Sequence, residues 1–201
     1  ENIDYKKGQA RALAIMGVAS YKVDDYAKAK ILINQAATLS EKIADSSNLS
    51  FSKYWLGNIE LSNGQYGKAL DLYQSALLIA QSINDKRNIA RSLDGKATIY
   101  ESLNEDEKAL EFYNQSLATA KEINFKEWYG GVTLSLGNHA FNKGNYEDAI
   151  TKYNEAIQLS DETNNLNNKA NCFHQLAAIY YSQKNSKEAM NYVQQAMELF
   201  Q

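Results

Sequence analysis

Ala29, Ala69, Ala109, Ala149 and Ala189 stand forty residues apart with no slippage. Few features restrict a fold more than an exact internal period, because every copy must then serve the same local structure. Each alanine belongs to a fixed four-site pattern. Twelve residues before it lies a small residue: Gly17, Gly57, Ala97, Gly137 or Ala177. Four residues after it comes Ile33, Tyr73, Tyr113, Tyr153 or Val193, and three further on Ala36, Ala76, Ser116, Ala156 or Ala196. The last three sites are spaced i, i+4, i+7, one face of a helix. Small residues at the outer two let a neighbouring helix come close, and the large one between them fills the space left.

Glycine costs about 1 kcal/mol relative to alanine in a helix interior. Its return at Gly17, Gly57 and Gly137 therefore signals a packing demand that outweighs propensity. Between the two small sites a turn must fall. Asp24-Asp25, Asn63-Gly64-Gln65, Asn104-Glu105, Gly144-Asn145 and Lys184-Asn185 supply turn and N-cap chemistry there. A second marker, Ile43, Ile83 and Ile123, closes each pair, with Thr163 in its place in the fourth. The spacing predicts ten helices, at about 4–22, 26–44, 47–62, 66–83, 87–103, 106–123, 127–142, 146–162, 167–182 and 186–200. The chain contains no proline, as continuous helices joined by proline-free turns require.

The remaining signals exclude more than they assign. A net charge of −3 disfavours direct nucleic-acid binding. No apolar run reaches membrane-spanning length, so no membrane contact by this segment is expected. Cys172 is the only cysteine, which rules out an intrachain disulfide and a cysteine-rich zinc site. It is read as a small buried hydrophobe. His139 and His174 lie on different repeats, and Cys172 and His174, two apart on a helix, face different ways. Phosphate loops, nucleophile elbows and paired-His motifs are missing. The expectation is no metal, no cofactor and no enzyme. The acidic run Glu105-Asp106-Glu107 suits a helix N-terminus. Gly130-Gly131 is open between a hinge or ligand approach and tight packing. Glu1 at the start and Gln201 at the end are read as cut ends of one repeat domain, 1–201, excised from a longer protein. Its repeats are set at about 4–44, 47–84, 87–124, 127–164 and 167–201. The sequence does not decide the compartment, with the cytoplasm favoured over the periplasm.

Leu56-Gly57, Ala69, Tyr73 and Ala76, and again Leu136-Gly137, Ala149, Tyr153 and Ala156, resemble the tetratricopeptide consensus. The resemblance covers essentially the whole chain. The period exceeds the common thirty-four residues and is similar to the long variant of kinesin light chains and many bacterial sensors and regulators. Lys53, Glu60 and Lys96 depart from it, standing where apolar groups usually pack, so helix A of the second and third repeats is expected to sit slightly rotated. The resemblance implies an all-α, right-handed superhelical solenoid of five helix-turn-helix repeats, whose A helices line a concave groove.

Carried over repeat by repeat, the groove is expected to present Arg11 and Tyr21, then Phe51, Tyr54, Trp55, Asn58 and Leu61. Arg91 and Asp94 follow, then Leu134, Asn138 and Phe141, and finally His174 and Tyr181. Trp, Tyr and Arg are the residues that tend to dominate interface energetics. Asn58 and Asn138 are read as clamps for a peptide backbone, since an amide both donates and accepts. The alternative is that Tyr54 and Trp55 pack between repeats. A chaperone-tail clamp is not expected, because Ala14, Asn58, Trp55, Arg91 and Gly95 lack its lysine and second arginine. The functional expectation is a non-catalytic scaffold for a protein or peptide. One alternative is a sensory segment of a bacterial signalling protein, fused to a kinase or DNA-binding output domain. The other is self-association, as a homodimer, through Val193, Met197, Leu199 and Phe200.

Overall fold

The computed structural model describes residues 3–200; the outermost positions 1, 2 and 201 of the expected domain lie outside the described residues. Among the described residues there are ten helices and no strand. They are α1 (Ile3–Lys22), α2 (Tyr26–Lys42), α3 (Ser46–Ser62), α4 (Tyr66–Ser82) and α5 (Lys86–Ser102), followed by α6 (Asp106–Glu122), α7 (Lys126–Asn142), α8 (Tyr146–Thr163), α9 (Leu166–Ser182) and α10 (Ser186–Glu198). Every element matches its predicted position to within one or two residues. The helices form five sequential pairs, and each odd-numbered helix packs on its successor.

The forty-residue period is built from a twenty-residue one. Left-handed backbone recurs at Asp24, Ala44, Gly64, Asn84, Asn104, Asn124, Gly144, Asn164 and Lys184, with φ between +51° and +76°. At each, the helix closes in the same way. The left-handed residue donates its N–H three residues back and the next residue donates five back, as in Asp24 to Tyr21 and Asp25 to Ser20, or Gly64 to Leu61 and Gln65 to Glu60. This is the Schellman closure, which satisfies the last orphan carbonyls without proline. The residue that completes it also caps the following helix. Asp25, Asp45, Asp85, Asn165 and Asn185 accept from the backbone N–H three positions on. One three-residue turn thus stops a helix and starts the next. Thr163 shows what changes where isoleucine is lost: α8 runs on to it, and its hydroxyl donates to the Leu159 carbonyl at 2.8 Å.

The chain divides into two compact units, residues 1–119 and 120–201. In the first, Ala29, Ala69 and Ala109 are fully buried, as are Ile33, Tyr73 and, to within 1%, Tyr113. Tyr73 explains the glycine sites. A Cβ built on Gly57 would lie 2.6 Å from its ring, and one on Gly95, in the next A helix, 2.7 Å. One tyrosine therefore fills a slot whose two walls are bare backbone. In the second unit Tyr153 plays the same part against Gly137, at 2.7 Å. There Ala149 and Ala156 join Cys172, Phe173, Leu176 and Ile179 in the core. Gly130 would bring a Cβ within 3.3 Å of Leu159, so tight packing accounts for it, whereas Gly131 meets only Asn168 at 3.8 Å.

Two of the three polar departures, Glu60 and Lys96, are taken up locally. Glu60 is buried and receives Lys30 Nζ at 2.5 Å. Lys96 is buried, donates to Gln74 Oε1 at 2.7 Å, and lies 4.2 Å above the Phe112 ring.

Candidate functional site

In the first unit the A helices α1, α3 and α5 carry nine of the expected groove residues. Arg11, Phe51 and Arg91 converge on one cavity of about 590 Å³. Ile15 from α1 lines it too, together with Lys7, Asn48, Arg87 and Asn88. The cavity is polarised. Its two aspartates, Asp45 and Asp85, are engaged as helix caps, and Asp85 also accepts the Ser47 hydroxyl at 2.7 Å. Lys7, Arg11, Arg87 and Arg91 leave the lining cationic in balance. The Arg91 guanidinium lies 5.2 Å over the Phe51 ring and donates to Asn88 Oδ1 at 2.9 Å. Burial lowers its pKa, and Tyr54 and then Asp85 oppose that effect.

Next to this cavity runs an aromatic row. Phe51 meets Trp55 edge-on at 6.2 Å, and Tyr21 and Tyr54 contact Trp55 at 5.3 and 5.5 Å. Tyr54 itself is buried and sits 5.7 Å from Tyr73. Trp55 is half-buried and packs against the cluster of Ala29, Ile33, Leu56 and Ile59. Its indole nitrogen is enclosed without a hydrogen-bond partner. Leu61 is half-buried in the last turn of α3.

Asn58 and Asn138 occupy equivalent places and do equivalent work. Each accepts the hydroxyl of the slot tyrosine fifteen residues on, Tyr73 at 2.6 Å and Tyr153 at 2.9 Å. Their carbonyl oxygens are thus engaged inside the repeat, and the Asn58 side chain also hydrogen-bonds Tyr54. In the third repeat Thr98 stands at that position, and Tyr113 donates instead to Glu101 at 2.7 Å.

Asp94 is the most perturbed acid of the groove. Burial first, and Glu101 second, push its carboxyl up to about 7. Oδ1 is enclosed and has no hydrogen-bond partner.

The expected residues of the second unit do not converge in the same way. Leu134 is buried in the core and Phe141 packs against it, 5.8 Å from Tyr146. His174 and Tyr181 are exposed on α9. Cys172 is buried, and burial raises its thiol to about 12, so it is an inert thiol at neutral pH. Among the described residues no three His, Cys, Asp or Glu side chains gather as a metal-binding set, and no helix is long and apolar enough to cross a membrane.

Sequence reasoning missed the first-turn residues of the cavity, Lys7, Asn48, Arg87 and Asn88. A signal was present: Asp45 with Asn48 and Asp85 with Asn88 repeat at forty residues. Each aspartate accepts both the backbone and the side-chain N–H of its asparagine, and Asn88 also reaches the Ser47 carbonyl at 3.1 Å.

The family model described as Tetratricopeptide repeat matches residues 48–122 and 131–201. The chain belongs to the tetratricopeptide repeat family. The sequence has no significant match among curated proteins. Solved structures of similar fold include a Podosopora anserina putative kinesin light chain with nearly identical repeats, with a TM-score of 0.64 at 16% identity over 96% of this chain and 95% of that one. Aspartyl phosphate phosphatase F from Bacillus subtilis gives 0.71 at 14% identity, over 98% of this chain and 61% of that chain. The Rap conjugation gene regulator of plasmid pLS20, solved with the Phr* peptide, gives 0.78 at 14% identity, over 93% and 52%. The tetratricopeptide chain thus spans little more than half of the regulator and about three-fifths of the phosphatase. At these identities the likeness is one of fold.

Proposed function

We propose that the chain is a non-catalytic scaffold that captures a protein or an extended peptide on the inner face of α1, α3 and α5. The observation that carries this is the convergence of Arg11, Phe51 and Arg91, from three successive repeats, on one cavity flanked by Trp55 and Tyr21. Ligand sites are usually concave and use a few placed polar groups to fix the ligand's orientation. Arginine and large aromatics are the side chains that give such sites their anchors. Stacked repeats supply a surface that is largely formed before the ligand arrives. The similar-fold regulator was solved with a peptide bound, which supports the same class of ligand here. The phosphatase activity named for another similar fold stays with that protein.

The reading is tested by selecting displayed heptapeptides on the whole chain. Binding of the selected peptides is then compared with that of the Phe51→Ala/Trp55→Ala variant. The expected result is a loss of tenfold or more in affinity with the helical signal retained. Equal binding by the folded double variant refutes the groove.

A regulatory role within a larger signalling protein is compatible with the same groove, and the regulator fold supports it. Self-association is a second reading, supported by Met190, Val193 and Met197, all exposed along α10. Light scattering over a concentration series tests it, and a mass that stays monomeric rejects it.

A further inference from the structure

We propose that the cavity between α1, α3 and α5 binds an acidic side chain of the captured peptide, the carboxylate of an aspartate or glutamate. The inference rests on the groove reading above and names the ligand chemistry of that groove. Cations enter the lining from both sides. Lys7 and Arg11 stand on α1, their counterparts two periods later, Arg87 and Arg91, on α5, and α3 between them supplies Ser47 and Phe51 at the same places. Like charges four apart on a helix repel each other. Two such pairs facing one space work against folding, and an anion placed between them relieves both.

The two aspartates of the lining are occupied. Asp45 and Asp85 each accept the backbone and side-chain N–H groups of the asparagine three residues on, and Asp85 takes the Ser47 hydroxyl besides. Asp85 favours the charge on Arg91, but Arg87 opposes it. Arg91 is held in place: it lies 5.2 Å over the Phe51 ring and gives an N–H to Asn88 at 2.9 Å. A guanidinium fixed in this way presents a planar fork that suits a carboxylate, and its half-burial limits screening by water. Lys7, Arg11 and Arg87 are exposed, so an incoming side chain reaches them from solvent. A volume of about 590 Å³ accommodates a residue with its neighbours. Phe51 borders both this cavity and the aromatic row, with Trp55 at 6.2 Å. An extended chain advances about 3.3 Å per residue, which sets the acid within about three residues of the apolar side chain that meets Trp55.

The test starts from the heptapeptides selected on the whole chain, which should be enriched in aspartate or glutamate beside an apolar residue. The tightest binder is synthesised as selected, with each acid replaced by its amide, and with its C-terminus amidated. Each form is titrated against the wild type, Lys7→Gln/Arg11→Gln, and Lys28→Gln/Lys68→Gln, which removes the same charge from exposed positions of α2 and α4. Replacing the acid is expected to cost tenfold or more on the wild type and on the α2/α4 variant, and less than threefold on Lys7→Gln/Arg11→Gln. If the α2/α4 variant blunts the effect equally, the attraction is diffuse and the cavity is not its source. A loss on amidating the C-terminus, with none on replacing the acid, assigns the cavity to a chain end and overturns the side-chain reading. Peptides that bind through Phe51 and Trp55 yet lack an acid, or tolerate its replacement, overturn this inference and leave the groove standing. If no selected peptide depends on Phe51 and Trp55, the groove reading falls and this inference falls with it.

Discussion

Gly57→Ala separates packing from propensity, because the two push in opposite directions. Gly57 lies inside α3, where alanine should stabilise the helix by about 1 kcal/mol. The added Cβ would stand 2.6 Å from Tyr73 Cε1 and 2.7 Å from Cδ1, about 1 Å inside ordinary contact. The ring has no easy retreat. It is fully buried, its hydroxyl is held by Asn58 at 2.6 Å, and Gly95 closes the far side. Overpacking of this kind costs about 1–3 kcal/mol, so the net change runs from about zero to a destabilisation of roughly 2 kcal/mol. Gly8, inside α1 with nothing near its absent Cβ, is the control: Gly8→Ala should stabilise by about 0.5–1 kcal/mol. Urea unfolding of both variants, with Tyr73→Ala to complete a cycle, measures the term. The cost of Gly57→Ala should vanish once Tyr73 is gone, a coupling of about 2 kcal/mol. If Gly57→Ala unfolds like Gly8→Ala, the tyrosine slot does not govern the repeat spacing.

Gln65 closes a turn where Asp25, Asp45 and Asp85 also cap, yet its side chain makes no cap bond; Gln65→Asp should raise stability by about 0.5–1 kcal/mol, read from the urea midpoint. Ala109→Leu, at a fully buried site, should cost about 1–3 kcal/mol, and an unchanged melting midpoint would contradict its placement. Asp94 makes stability fall as pH rises. Its unfolded carboxyl releases a proton near pH 4, while the folded one holds it to about 7. Between those values the native state binds the extra proton, and the loss runs at no more than about 1.4 kcal/mol per pH unit. Asp94→Asn should flatten the urea midpoint between pH 4 and 7 relative to wild type, and parallel curves would refute the buried acid.

The elements were legible because each is enforced by a local event that repeats. Turn and cap residues between the helices of a pair and a small residue at each crossing leave marks in the sequence every forty positions. The helix bounds follow from those marks alone. The side-chain bonds left no comparable trace. Asn58 and Asn138 read as free amides in the sequence, but a tyrosine hydroxyl fifteen residues away reaches each of them. That bond depends on how the helix pair crosses, which spacing does not encode. Tyr54 and Leu134 likewise fall on the inward side of a helical wheel, yet both are buried, because a wheel gives direction and not the depth of the neighbouring helix.

This difference bears on where function is sought in such a repeat. The slot residues recur because every pair must close in the same way, so their recurrence reports stability. Arg91, Asp94 and Trp55 have no equivalents at forty residues: the corresponding positions hold Arg11, Phe51 and Gly131, then Ala14, Tyr54 and Leu134, then Ile15, Gly95 and Ser135. Only the arginine at position 11 matches in type. A buried acid with an oxygen that no hydrogen bond reaches, as at Asp94, works against folding, and such departures from local consistency tend to mark functional positions. The non-repeating side chains are therefore the ones whose exchange should move affinity and leave the helix pairs in place.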